Sequence, residues 1–293
     1  MEGNKKEHCL SVSNIFDCAL LLRGEIMSNN FHITDKSGKP NISNDIPESV
    51  LSANTFFHYI DKIKYIYEML NTQQISPRFT KEDYSMFNIG YDNLYIAEKC
   101  FCDIPLHQVK EHKKEYGKYC IGFSKEWGLS KGLQPVIYFN NQNNEFLSMI
   151  ERNFKTLDSL SDDEADIMGD VLGYNLKYYK PVYGKDLKTN KNKIFMDEKE
   201  WRYVPNIDSD FSEILTEDDI AFNNSTVRET YNKIISENYA LSFEYSDIKY
   251  LIVNKKSEIQ RMVKHIDRLI DSNDVKNLLK TRIFSWEEIE GDL

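Results

Sequence analysis

Glycine and proline are scarce in this chain, twelve and seven among 293 residues, while aromatic residues make up 13% of it. That balance excludes a disordered or low-complexity polymer and points to a chain that buries a substantial core. No hydrophobic run approaches the ~18 to 20 residues that cross a bilayer, and the longest early stretch, Cys18 to Leu22, is cut off by Arg23. The first residues lack the cationic start and apolar stretch of a secretory leader, so a soluble, cytoplasmic protein is expected. Five cysteines without regular spacing make a poor disulfide framework. Cys100 and Cys102 are one residue apart, closer than the usual ligand pairs of a zinc site, and read as a buried strand; no metal is expected. Positive charge is also short. A formal net charge of −10 opposes non-specific binding to nucleic acid, although a local basic channel stays open. Neither a glycine-rich phosphate loop nor a nucleophile elbow is present.

What is there reads as α+β, with a mixed or antiparallel central sheet and flanking helices, because strand and helix patterns mix without regular alternation. Residues 1–53 form an N-terminal arm or hairpin extension with a polar, turn-rich middle, and residues 54–293 form the main domain. Thr55 to Tyr59 is a strand that runs into a helix bearing Ile63, Ile66, Tyr67 and Leu70. Pro77 confines Ile75 to Phe79 to an edge strand or extended loop. Tyr119 to Ser124 and Pro135 to Phe139 read as two strands around a turn that holds Trp127, Gly128 and Gly132. Helices are expected over Asn144 to Leu157, Glu164 to Leu176 and around Val227 to Ser236. A last strand, Ile248 to Val253, precedes a helix with an apolar face from Ile259 to Leu269. Tyr178 to Lys193 is a basic, aromatic loop or hairpin.

The stretch richest in chemistry is Glu198-Lys199-Glu200-Trp201-Arg202-Tyr203. As one extended strand it sends Glu198, Glu200 and Arg202 to one face, and Lys199, Trp201 and Tyr203 to the other. The bland reading is a solvent-facing strand whose Trp201 and Tyr203 enter the core, with Arg202 paired to Glu200. The functional reading is a converging site of two carboxylates and a guanidinium. Taken singly, His58 reads as a strand residue, Arg78 as a surface cation, Asp103 as a turn former and Trp127 as a packing anchor. His107 and His112, five apart, miss the four-residue spacing for a shared metal. The acidic segment Asp208 to Asp219 offers a surface for a basic partner.

Several words occur in one order: His58-Tyr59 entering a helix, Pro77-Arg78, Cys102-Asp103-Ile104-Pro105-Leu106, the block Tyr116 to Gly128, and Glu198 to Tyr203. Together they resemble the AbiGi family of bacterial abortive-infection proteins over roughly Thr55 to Ile270. That resemblance implies phage defence in a bacterial cytoplasm, with a cognate toxin or antitoxin or a phage protein as partner. More distantly, the layout is similar to ADP-ribosyltransferases, including the DNA-modifying DarT type. This second likeness implies an ADP-ribosyltransferase-like fold, NAD as substrate and a macromolecular acceptor such as nucleic acid. Glu200, or its neighbour Glu198, would be the catalytic carboxylate, stabilising an oxocarbenium-like state at the ribose. His58 would hold NAD, Tyr59 or Tyr119 would lie near the nicotinamide, Arg78 toward the pyrophosphate, and Ser124 would stand in for a serine of the second strand. A non-catalytic antitoxin or phage-sensing protein and an NAD hydrolase are the alternatives.

Overall fold

The computed structural model describes residues 52–292 apart from Val109, Lys188 and residues 208–210. The arm expected over residues 1–53 therefore lies outside the described residues, save for Ser52 and Ala53.

Fifteen strands are found among the described residues. The first seven are β1 (Thr55–Ile60), β2 (Gln74–Ile75), β3 (Arg78–Asp83), β4 (Asn93–Cys102), β5 (Tyr119–Ser124), β6 (Gln134–Pro135) and β7 (Ile137–Phe139). After two helices come β8 (Tyr179–Pro181), β9 (Tyr183–Lys185), β10 (Asn192–Ile194), β11 (Glu200–Tyr203) and β12 (Ile214–Leu215). The last three are β13 (Leu241–Ser242), β14 (Ile248–Val253) and β15 (Ile283–Ser285). One nine-stranded sheet dominates, in the order β15-β14-β5-β1-β4-β11-β6, with β3 and β12 also pairing β4. β14 and β15 run parallel and the other pairings of that sheet are antiparallel, so the sheet is mixed. The fold is α+β, as the irregular alternation of patterns implies.

Alternation along the strands sets two faces. Phe56, Ile60, Phe101, Ile121, Phe123, Leu251 and Val253 pack on one side with Ile66 and Leu70 of the Ile63–Thr72 helix and with Met262 and Ile266 of the Lys256–Leu269 helix. Spacings of three and four residues place each of those helical pairs on one stripe. On the other side Phe57, Tyr59, Cys102, Cys120 and Ile252 gather around Trp286. Glu200 pairs with Cys102, which in turn pairs with Phe57, so Glu200 and Arg202 belong to this second face.

Two expectations need correction. Tyr119 to Phe139 does not fold as two strands around a turn. Ser124 instead starts a helix, Lys125–Ser130, by accepting a hydrogen bond from the Trp127 backbone N–H at 3.2 Å, and Trp127 stacks on Phe123 at 4.3 Å. The segment after it divides between sheets, β6 pairing β11 and β7 running parallel to β8. Glu198, for its part, is not a strand residue. It ends a short 3-10 turn, Phe195–Glu198, and Lys199 follows in the left-handed region at φ 43°, so the strand starts only at Glu200. Both helices expected around the 159–163 start signal are present, Asn144–Leu157 and Asp162–Leu176, the second opened by a Ser161–Glu164 capping box.

Candidate functional site

A cleft of about 580 Å³ opens where β4 changes partners. β3 pairs β4 up to Glu98, and β1 joins it at the Phe57–Cys102 pair. In the interval the His58 Nδ1 lies 3.0 Å from the Cys100 carbonyl oxygen, which accepts the bond. His58 projects toward Phe101, to the face opposite Glu200, yet both line the cleft through this interruption. Tyr59, Glu82, Glu98, Tyr116, Lys180 and Glu198 line it too.

Arg202 organises the floor. Fully buried on β11, it directs Nε to Glu200 at 2.7 Å, Nη1 to Glu98 at 3.2 Å and to the Lys177 carbonyl at 2.9 Å, and Nη2 to Glu82 at 3.3 Å. Lys180, on β8, inserts its Nζ between Glu198 at 2.9 Å and Glu200 at 2.6 Å. Lys193, on β10, reaches the other Glu198 oxygen at 2.6 Å and Glu115 at 2.6 Å, and the Tyr116 hydroxyl also donates to Glu198. The Glu200 backbone N–H donates to the Tyr138 hydroxyl at 2.9 Å, fixing the start of the strand. The solvent-facing reading of this row is therefore overturned: Glu198, Glu200 and Arg202 are all buried, and each is ion-paired.

The electrostatics follow from low polarity and close pairing. Burial works to raise the Glu200 pKa, but the charges of Arg202 and Lys180 overcome it and hold the carboxyl well below the usual carboxylate range. Burial likewise opposes a charged Lys180, and the Glu200, Glu82 and Glu198 carboxylates reverse that, raising its pKa. Glu98 behaves in the opposite way. Burial pushes it up to about 8, with Arg202 only partly compensating, so the site favours the protonated form of Glu98 more than water does. Glu82, Glu198 and Glu200 face Lys180, Lys193 and Arg202, and Glu115 is a further anion paired to Lys193. His58 is held neutral by burial and by the nearby Lys99.

The remaining sequence candidates stand elsewhere. Tyr59 shares the cleft and stacks on Trp286 at 6.1 Å, with its hydroxyl pKa raised by burial. Arg78 is exposed on β3 and pairs with Glu229 at 3.3 Å, away from the cleft lining. Tyr119 donates to Glu258 at 2.8 Å, tying β5 to the Lys256–Leu269 helix, and Ser124 is the helix cap already described. Asp103 is more than a turn former, since it pairs with Lys125 at 2.6 Å. Sequence reasoning passed over Lys180, Glu98 and Glu82. The signal that could have found Lys180 is the basic, aromatic stretch just ahead of Glu198, because buried carboxylates require cations nearby.

Glu98, Cys100 and Glu200 bring ligand-type atoms within 4.8 Å of one another. A metal ion there would compete with Arg202 and Lys180, which already neutralise Glu200. Burial also keeps the Cys100 thiol protonated, raising its pKa. The set is a weak fit for a cation.

Comparison with known proteins agrees with the order of motifs. Residues 73–254 match the family described as "Putative abortive phage resistance protein AbiGi, antitoxin". The chain is similar to an abortive phage resistance protein AbiGi of Lactococcus lactis subsp. cremoris, 31% identical over 246 residues that cover 74% of this chain and 98% of the relative. No solved structure matches it. No helix among the described residues is long and apolar enough to cross a membrane.

Proposed function

Since the chain belongs to the AbiGi family of abortive phage resistance proteins, we propose that it acts in abortive infection as an antitoxin that binds a partner rather than as a transferase. The observation that carries this reading is the occupation of the carboxylates. Both oxygens of Glu200 are taken, one by Arg202 and one by Lys180, and both oxygens of Glu198 by Lys180 and by Lys193 with Tyr116. A carboxylate that stabilises a developing oxocarbenium charge acts through its own uncompensated field. Here that field is cancelled from within the chain, and the network holds β4, β8, β10 and β11 together.

A second reading, ADP-ribose transfer from NAD to a macromolecule or to water, is favoured by one observation: His58, Tyr59, Glu198 and Glu200 line the same cleft. Purified protein incubated with labelled NAD and lysate from infected and uninfected cells separates the two. The antitoxin reading expects neither label transfer nor nicotinamide release. Label on nucleic acid or protein, or free nicotinamide, abolished by Glu200→Gln in a folded variant, would overturn it in favour of the transferase or the hydrolase.

A further inference from the structure

Of the acidic segment that the sequence offered for a basic partner, three of the four described carboxylates are engaged within the fold. Glu213 pairs with Lys177 at 2.6 Å, Asp218 accepts from the Tyr91 hydroxyl at 2.7 Å, and Asp219 accepts from the Thr216 backbone at 2.6 Å. A different surface keeps its charge unspent. The Asp162–Leu176 helix turns Leu172 and Leu176 into the core, and outward it presents Ile167, Val171 and Tyr174, which are 52%, 53% and 56% exposed. Steps of four and three residues place these on one stripe, about 10 Å long at 1.5 Å per residue. Single exposed apolar side chains are ordinary, whereas three large ones in line on an otherwise polar face mark a contact surface.

Charge selects the occupant. Asp163, Asp166 and Asp170 flank the stripe along one side, all exposed, and none has an ion-pair partner among the described residues. The helix itself carries no basic residue. An apolar ridge bordered by unpaired carboxylates complements a helix with its own apolar stripe and a basic flank, and it repels an acidic one.

We propose that this face of the Asp162–Leu176 helix docks a basic amphipathic helix of a partner protein. The proposal gives the antitoxin reading a surface and a partner chemistry, and it rests on that reading. Ile167, Val171, Asp166 and Asp170 are exposed, so their substitution leaves the core intact.

The test uses the full chain and a fluorescein-labelled synthetic 18-residue helix with a leucine stripe and a lysine flank. Its control is the same peptide with glutamate for lysine. The lysine peptide is expected to bind at least tenfold more tightly than the control, with affinity falling as salt rises. Ile167→Ser with Val171→Ser should weaken it at least tenfold, and Asp166→Asn with Asp170→Asn should remove most of the salt dependence, both at unchanged melting temperature. Absence of binding, or binding that ignores the two apolar substitutions, would overturn the proposal. So would sedimentation revealing a homodimer that those substitutions dissolve, because the occupant would then be a second copy. Phage plating of the apolar double variant addresses the antitoxin reading separately: lost peptide binding with intact protection supports the docking surface and separates it from the antitoxin role.

Discussion

Lys180 Nζ sits 2.6 Å from Glu200 Oε2, a cation and an anion that are 11% and 7% exposed at the side chain. The same ammonium also reaches Glu198, so one lysine from β8 compensates two buried carboxylates contributed by the 3-10 turn and β11. Removing the cation is therefore a different perturbation from removing either anion.

Lys180→Met should cost about 3–5 kcal/mol, because it leaves buried charge unpaired. Urea denaturation measures it, and adding Glu198→Gln and Glu200→Gln to the same background should recover part of the loss. A Lys180→Met protein that unfolds at the wild-type midpoint would falsify the compensating role.

Stability should fall as pH rises from about 4.5 to about 8 on account of Glu98. Its folded pKa is raised above the unfolded value, so the native state keeps a proton that the unfolded chain releases in that window. The slope from this group is at most on the order of 1.4 kcal/mol per pH unit. Glu98→Gln should flatten the melting temperature between those limits and raise it at pH 8. Glu200 works in the other direction: its depressed pKa contributes stability above the ordinary carboxylate range, and that contribution is lost on acidification.

Gly117 has φ +135°, and a Cβ there would stand 2.4 Å from the Ile60 carbonyl carbon, an atom of the main chain that cannot swing aside. Gly117→Ala should cost about 1–3 kcal/mol from the clash, with the backbone strain added. Gly90→Ala is the control, since φ is +92° there but no atom lies within 4 Å. Thermal melts should place the first variant clearly below the second.

Trp286 is 1% exposed, stacks on Tyr59 and donates from Nε1 to the Lys118 carbonyl at 3.0 Å. Trp286→Ala should destabilise by about 3–5 kcal/mol through the cavity it leaves. Trp286→Phe should fall between, filling much of the space while leaving the carbonyl without its donor. Equal midpoints for the two variants would contradict that division.

Local pattern carried much of the architecture. Helical spacing marked the Ile63–Thr72 and Lys256–Leu269 helices, Ser161 and Glu164 announced the Asp162–Leu176 helix, and β-branched and aromatic runs marked β5 and β14, because each signal acts within a few residues. Where local rules compete, the pattern misled. Ser124 can end a strand or cap a helix, and stacking of Trp127 on Phe123 decided for the helix.

By itself the sequence determined an α+β chain and its family, since strand periodicity and motif order are properties of neighbours along the chain. Only the tertiary structure decided that the charges of Glu198, Glu200 and Arg202 are buried and cancelled. Their partners Lys180, Lys193 and Glu82 arrive from β8, β10 and β3, and an ion pair depends on distance through space, which one-dimensional order does not encode.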